Sequence, residues 1–134
     1  MAKIFSSIRK TPINLILIIA VLLLYFLNNM FLKWHTTGIV QEFFICYFND
    51  LMCPIFFLSY SNLLLLGINM ELKKLHWILL YGFCAGLIWE FVGPLIKVSS
   101  VTDFFDLVCY LLGSIFYWGI TRLAFLCRGR ISYD

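Results

Sequence analysis

Four long apolar runs follow one another along this chain, and each reaches the roughly 20 residues that an α-helix needs to cross a bilayer core. They cover residues 12–32, 43–68, 77–96 and 104–125, to within a residue or two. Of the 134 residues, 63% are hydrophobic and 13% charged. About 84 residues are therefore apolar, and four spans of roughly 20 take up nearly all of them. The remaining residues, about 50, are too few for a separate soluble domain. This balance excludes a soluble enzyme, a zinc-finger module and a disordered tail. Backbone N–H and C=O groups in lipid must be satisfied within their own segment, so the runs are expected to be helices. The alternation that a membrane barrel needs is absent. The expected fold is all-α: a polytopic integral membrane protein, one domain over 1–134, with four transmembrane helices.

Lys3, Arg9 and Lys10 precede the first run, Thr11 is placed to cap it, and Pro12 suits a first helical position, where a missing N–H costs nothing. A basic start before an apolar stretch also fits a signal peptide. Asn28-Asn29-Met30, however, offers no small-residue cleavage site, and the first helix is expected to be retained. With the N-terminus inside, Lys3, Arg9, Lys10, Lys73, Lys74, Arg122, Arg128 and Arg130 share the inner side, which leaves Lys33 and Lys97 outside. That bias predicts both termini in the cytoplasm of a cell-membrane protein. Trp34 and Trp77 fall at predicted membrane borders, and Trp118 lies one turn before Arg122. Trp89, deep in the third run, does not fit this pattern.

The acidic residues segregate the other way. Glu42, Asp50, Glu90, Asp103 and Asp106 belong to the outer half, whereas Glu71 and Asp134 belong inside. Orientation does not require this, because carboxylates contribute little to it. Asp50 lies about 12 Å along its helix from Glu42, and Glu90 about 10 Å from Lys97, so the two share a depth. A carboxylate at mid-membrane costs about 2.5–3.5 kcal/mol, a cost seldom met without a partner or a task. Gly82, Gly86 and Glu90 repeat every four residues, so one helix face carries them. The two glycines admit a close neighbouring backbone, which turns Glu90 toward a helix interface. In the fourth run Asp103, Asp106, Tyr110, Gly113 and Tyr117 share a stripe; in the second, Asp50, Pro54, Phe57 and Ser61 do. Simpler roles compete. Ser100-x-x-Asp103 resembles a capping box, Asp106 caps or carries a proton, and Asp50 hydrogen-bonds a neighbouring helix beside Asn49. Glu90 has no local explanation.

The five cysteines include no C-x-x-C pair; the four within apolar runs read as packing residues and Cys127 sits beside Arg128 at the inner surface, while His35 and His76 lie at opposite faces. There is no nucleophile elbow, zinc-protease, phosphate-loop or nucleotide motif. No cofactor and no nucleic-acid partner is expected. Whether the carboxylates hold a metal is left open.

Glu90, followed by Asp103-x-x-Asp106-x-x-x-Tyr110-x-x-Gly113, resembles the VanZ-like family of small bacterial membrane proteins. The family pattern is a glutamate ending one helix, a loop with an arginine, then D-x-x-D-x-x-x-N-x-x-G. Both aspartates and the glycine match in spacing. Tyr110 takes the place of the asparagine, Glu90 is displaced by about one residue, and the loop from Lys97 lacks the arginine. The match covers about 30 residues and suggests a divergent member. The family is named for a protein that gives low-level teicoplanin resistance, so the resemblance implies a role at the cell envelope without supplying a reaction.

The expected function is a non-enzymatic one, with an acidic outer rim acting on lipid or lipoglycopeptide. The alternatives are a small proton- or cation-coupled transporter or channel at Asp50 and Glu90, an enzyme acting on lipid, and an accessory subunit of a larger complex. Membrane lipids are the expected partners. A second copy of the chain and another membrane protein stay open.

Overall fold

The structure, a computed structural model, describes residues 12–96 and 104–131, with side chains for 12–92 and 104–126. Among these there is no strand. Four helices account for nearly all of them: α1 (Pro12–His35), α2 (Ile39–Leu66), α3 (Leu75–Ile96) and α4 (Phe104–Ile131). Each is long and apolar enough to cross a membrane.

The helix ends depart from the hydropathy boundaries for local reasons. α1 continues past Leu32 because the polar residues there bond back onto the helix. Lys33 Nζ donates to Asn29 Oδ1 at 2.9 Å, Trp34 Nε1 to the Asn29 carbonyl at 3.1 Å, and Thr36 Oγ1 to the Leu32 carbonyl at 2.6 Å. Carbonyls that would otherwise be orphaned at a helix end are thus satisfied. Gly38 turns the chain at φ 66°, ψ −145°, a conformation open essentially to glycine, and α2 starts at once, four residues before the apolar run. At the far end of α2, Asn69 adopts φ 58°. Met70 N–H reaches the Leu65 carbonyl at 2.9 Å and Asn69 N–H the Leu66 carbonyl at 3.1 Å, which is a Schellman cap with Asn in place of Gly. α4 runs to Ile131 rather than 125, and the added stretch holds Arg128 and Arg130, cations suited to a helix C-terminus.

α4 packs along both α2 and α3, and α1 packs along α2. α1 meets α4 lightly, around Asn14 and Tyr117. The interior is narrow and partly polar. Leu17, Val21, Ile55, Leu58, Ile78 and Tyr117 form its apolar part, while Asn14, Asn28, Ser59, Asn62 and Ser114 are buried among them. The surface is the reverse: Leu23, Phe26, Ile88, Phe91 and Leu123 all stand outside. An apolar exterior around a polar-containing core suits lipid as solvent and would associate in water. Trp89 falls on this outer surface, and so does Phe57, which departs from the buried stripe expected on α2.

Both α1 and α2 contain one wide turn bonded i→i+5, at Asn28–Leu32 and Phe43–Tyr47. The two turns meet across the helix pair. Buried Asn28 donates from Nδ2 to the Phe44 carbonyl at 2.9 Å and to Asn49 Oδ1 at 3.1 Å. Wide turns of this kind loosen the backbone ladder and are frequent at functional sites.

Candidate functional site

The α3–α4 contact is antiparallel and its register follows from the glycines. A Cβ on Gly82 would meet Ser114 Oγ, and one on Gly86 would lie 2.9 Å from Leu107 Cδ1 and 3.3 Å from Tyr110 Cβ. Residue 82 thus faces 114, and 86 faces 110. One further turn of each helix sets Glu90 against Asp106. The glycine face therefore serves packing within the chain.

The α2–α4 contact is parallel. Tyr110 Oη donates to Cys53 Sγ at 3.2 Å, and Gly113 lies against the Leu51 carbonyl and Pro54. The Tyr47 and Phe105 rings meet nearer the helix ends, with centroids 6.1 Å apart. Between these two contacts Asp50 comes to the depth of Asp106. Glu90, one turn beyond Gly86 on α3, reaches the same end of the bundle. Three helices thus bring three carboxyl groups to one end of the bundle. Asp103, with Lys97 and Ser100, lies outside the described residues.

The local chemistry around this cluster is rich in acceptors. Pro54 has no N–H, so the Asp50 carbonyl lacks its ordinary helical donor. Glu90 Oε1 and Asn28 Oδ1 are buried without a hydrogen-bond partner. The Asn28 amide is held in that orientation because its nitrogen already serves two acceptors. Ser59 Oγ is a third unpartnered buried atom, further along α2. Like charges at low dielectric repel, and orphaned acceptors raise the same demand. The cluster favours whatever brings positive charge or hydrogen-bond donors: protons, a cation, or the ammonium and hydroxyl groups of a ligand. Among the described residues no group of three His, Cys, Asp or Glu side chains converges closely enough to hold a metal ion.

Cys53 does more than fill space: its sulfur accepts the buried Tyr110 hydroxyl. Asn28 is a further polar residue at this site; Asn28-Asn29 shows no helical periodicity in the sequence, although any buried amide in lipid calls for a partner.

A second polar group lies at the opposite end. Tyr117 Oη donates to Asn14 Oδ1 at 2.9 Å and accepts from Asn62 Nδ2 at 2.6 Å. Asn62 Oδ1 accepts from Leu72 N–H at 2.7 Å, and its Nδ2 reaches the Leu72 carbonyl at 3.2 Å. This network ties α1, α2, α4 and the α2–α3 loop together, and the bonds it forms make it structural.

No family model, curated protein or solved structure matches this chain. The VanZ-like resemblance therefore rests on the residues that carry it.

Proposed function

We propose that this chain is a multi-pass protein of the cell membrane, with both termini cytoplasmic, whose acidic cluster faces the outer leaflet and engages donor-bearing groups of lipids or lipoglycopeptides. The role is envelope-related and not enzymatic, as in the VanZ-like family. One observation carries the reading: the glycine register sets Glu90 against Asp106, and the Tyr110–Cys53 and Tyr47–Phe105 contacts bring Asp50 to the same depth, so three helices contribute to one acidic site. The basic residues support the orientation, since eight of the ten fall at the other side. The motif positions Asp106, Tyr110 and Gly113 all serve this end of the bundle: the first in the cluster, the second buried on Cys53, the third where α4 closes on α2.

The test is antibiotic susceptibility in a sensitive Gram-positive host. The wild type is expected to raise the inhibitory concentration of teicoplanin several-fold and leave vancomycin unchanged. The triple variant Asp50→Asn/Glu90→Gln/Asp106→Asn, at equal membrane abundance, is expected to lose that protection. Protection that survives neutralisation, or none from the wild type, would contradict the reading.

Buried Glu90 Oε1, lacking a partner, favours proton or cation transfer as a second reading. A path through a single chain would have to pass Tyr110, Gly113 and Pro54. These are buried in close contact directly beneath the cluster, so the first reading fits the packing better.

A further inference from the structure

At the end away from the acidic cluster, α1 diverges from α4, and a cavity of about 550 Å³ opens between the start of α1, the α2–α3 loop and the second half of α4. Its size falls in the ordinary range for small-molecule sites. Its floor is the Asn14–Tyr117–Asn62 network, and Ile13 and Ile16 line one side. The rim is charged. The Arg122 guanidinium lies over the Trp118 ring, its carbon 5.0 Å from the ring centroid. A cation–π contact of this kind attracts the guanidinium to the ring and leaves N–H groups available for hydrogen bonding. Lys73 Nζ pairs with Glu71 at 2.9 Å and lies 5.7 Å from the Phe125 ring centroid. Among the described residues no carboxylate is within ion-pair reach of Arg122, so the rim is net positive.

We infer that this cavity binds one anionic phospholipid of the inner leaflet, its phosphate on Arg122 and Lys73 and an acyl chain between α1 and α4. Two features select that occupant. Ile16 and Phe125 belong both to the cavity lining and to the exposed apolar surface, so the site is continuous with the lipid-facing side of the bundle. The rim charge calls for an anion, and a guanidinium matches a phosphate through paired hydrogen bonds. The chain's own first eleven residues carry Lys3, Arg9 and Lys10 and no acid, so they do not complement a positive rim. Anionic lipids also collect at the cytoplasmic leaflet, where the basic residues place this end. The inference rests on the membrane-spanning reading and on the proposed orientation, but not on the role of the acidic cluster.

The test is native mass spectrometry of the full chain, reconstituted with equal phosphatidylglycerol and phosphatidylcholine and then released in mild detergent. One phosphatidylglycerol per chain is expected to be retained. Arg122→Gln is expected to lower that preference about tenfold, the effect of losing a charge-assisted pair. Ala124→Phe, which fills the cavity without altering charge, is expected to abolish retention, and Lys33→Gln at the opposite end to leave it unchanged. Equal retention of phosphatidylcholine, displacement by inorganic phosphate, or retention that survives both Arg122→Gln and Ala124→Phe would overturn the inference. Recovery of the chain in the aqueous fraction without detergent would instead overturn the spanning reading beneath it.

Discussion

Gly113→Ala is expected to destabilise the bundle by about 3 kcal/mol or more, at the upper end of what overpacking costs. The site cannot yield cheaply. A Cβ at residue 113 would strike the Leu51 carbonyl and lie 2.6 Å from Pro54 Cγ, so backbone and a rigid ring oppose it. Separating α2 from α4 to make room would also pull Tyr110 from Cys53 and Asp50 from Asp106. Gly119, six residues on in the same helix, has open space where a Cβ would stand, with nothing within 4 Å. Gly119→Ala is therefore expected to stabilise, by up to about 1 kcal/mol from helix propensity. Denaturation in mixed micelles by increasing sodium dodecyl sulfate, followed by circular dichroism, separates the two. Equal stability of Gly113→Ala and the wild type would mean that the helices do not approach each other there.

Asn62→Ala is expected to cost about 2–4 kcal/mol in the same titration, because three hydrogen bonds end on this one buried amide. The loss leaves Leu72 N–H, Leu72 C=O and the Tyr117 hydroxyl each short of a partner. Tyr117→Phe removes fewer bonds and is expected to cost about 1–2 kcal/mol. The two substitutions share a bond, so together they should cost less than their sum by about 1 kcal/mol. Strict additivity would show that the network is not formed.

How much of this was readable beforehand differs from residue to residue. The four helices follow from run length alone, since lipid leaves a long apolar segment no other way to satisfy its backbone. The Gly82–Gly86–Glu90 face and the Asp106–Tyr110–Gly113 stripe could be read because they repeat at helical spacing. Depth counting set Asp50 level with Glu90, and the helix contacts bring both to the end of the bundle that holds Asp106. Which helix fills the space between them is a matter of packing order, which hydropathy does not encode. α1 extends beyond the apolar run because Lys33, Trp34 and Thr36, polar enough to end a hydropathy segment, bond back to the helix. Asn14, Asn28 and Asn62 have no helical spacing that marks them, and each has a partner far along the chain, 103, 16 and 55 residues away. The cavity beside Arg122 arises from the divergence of α1 and α4, which no single segment carries.

The proposed role depends above all on which end of the bundle faces outward. In a cysteine-free background, single substitutions Thr37→Cys, beside the α1–α2 turn, and Met70→Cys, in the α2–α3 loop, place a thiol at an exposed position near each end. Labelling intact cells with a membrane-impermeant maleimide reads the orientation directly. The prediction is that Thr37→Cys labels in intact cells and Met70→Cys labels after permeabilisation alone. The reverse pattern would put Asp50, Glu90 and Asp106 on the cytoplasmic side and contradict an acidic site at the outer leaflet.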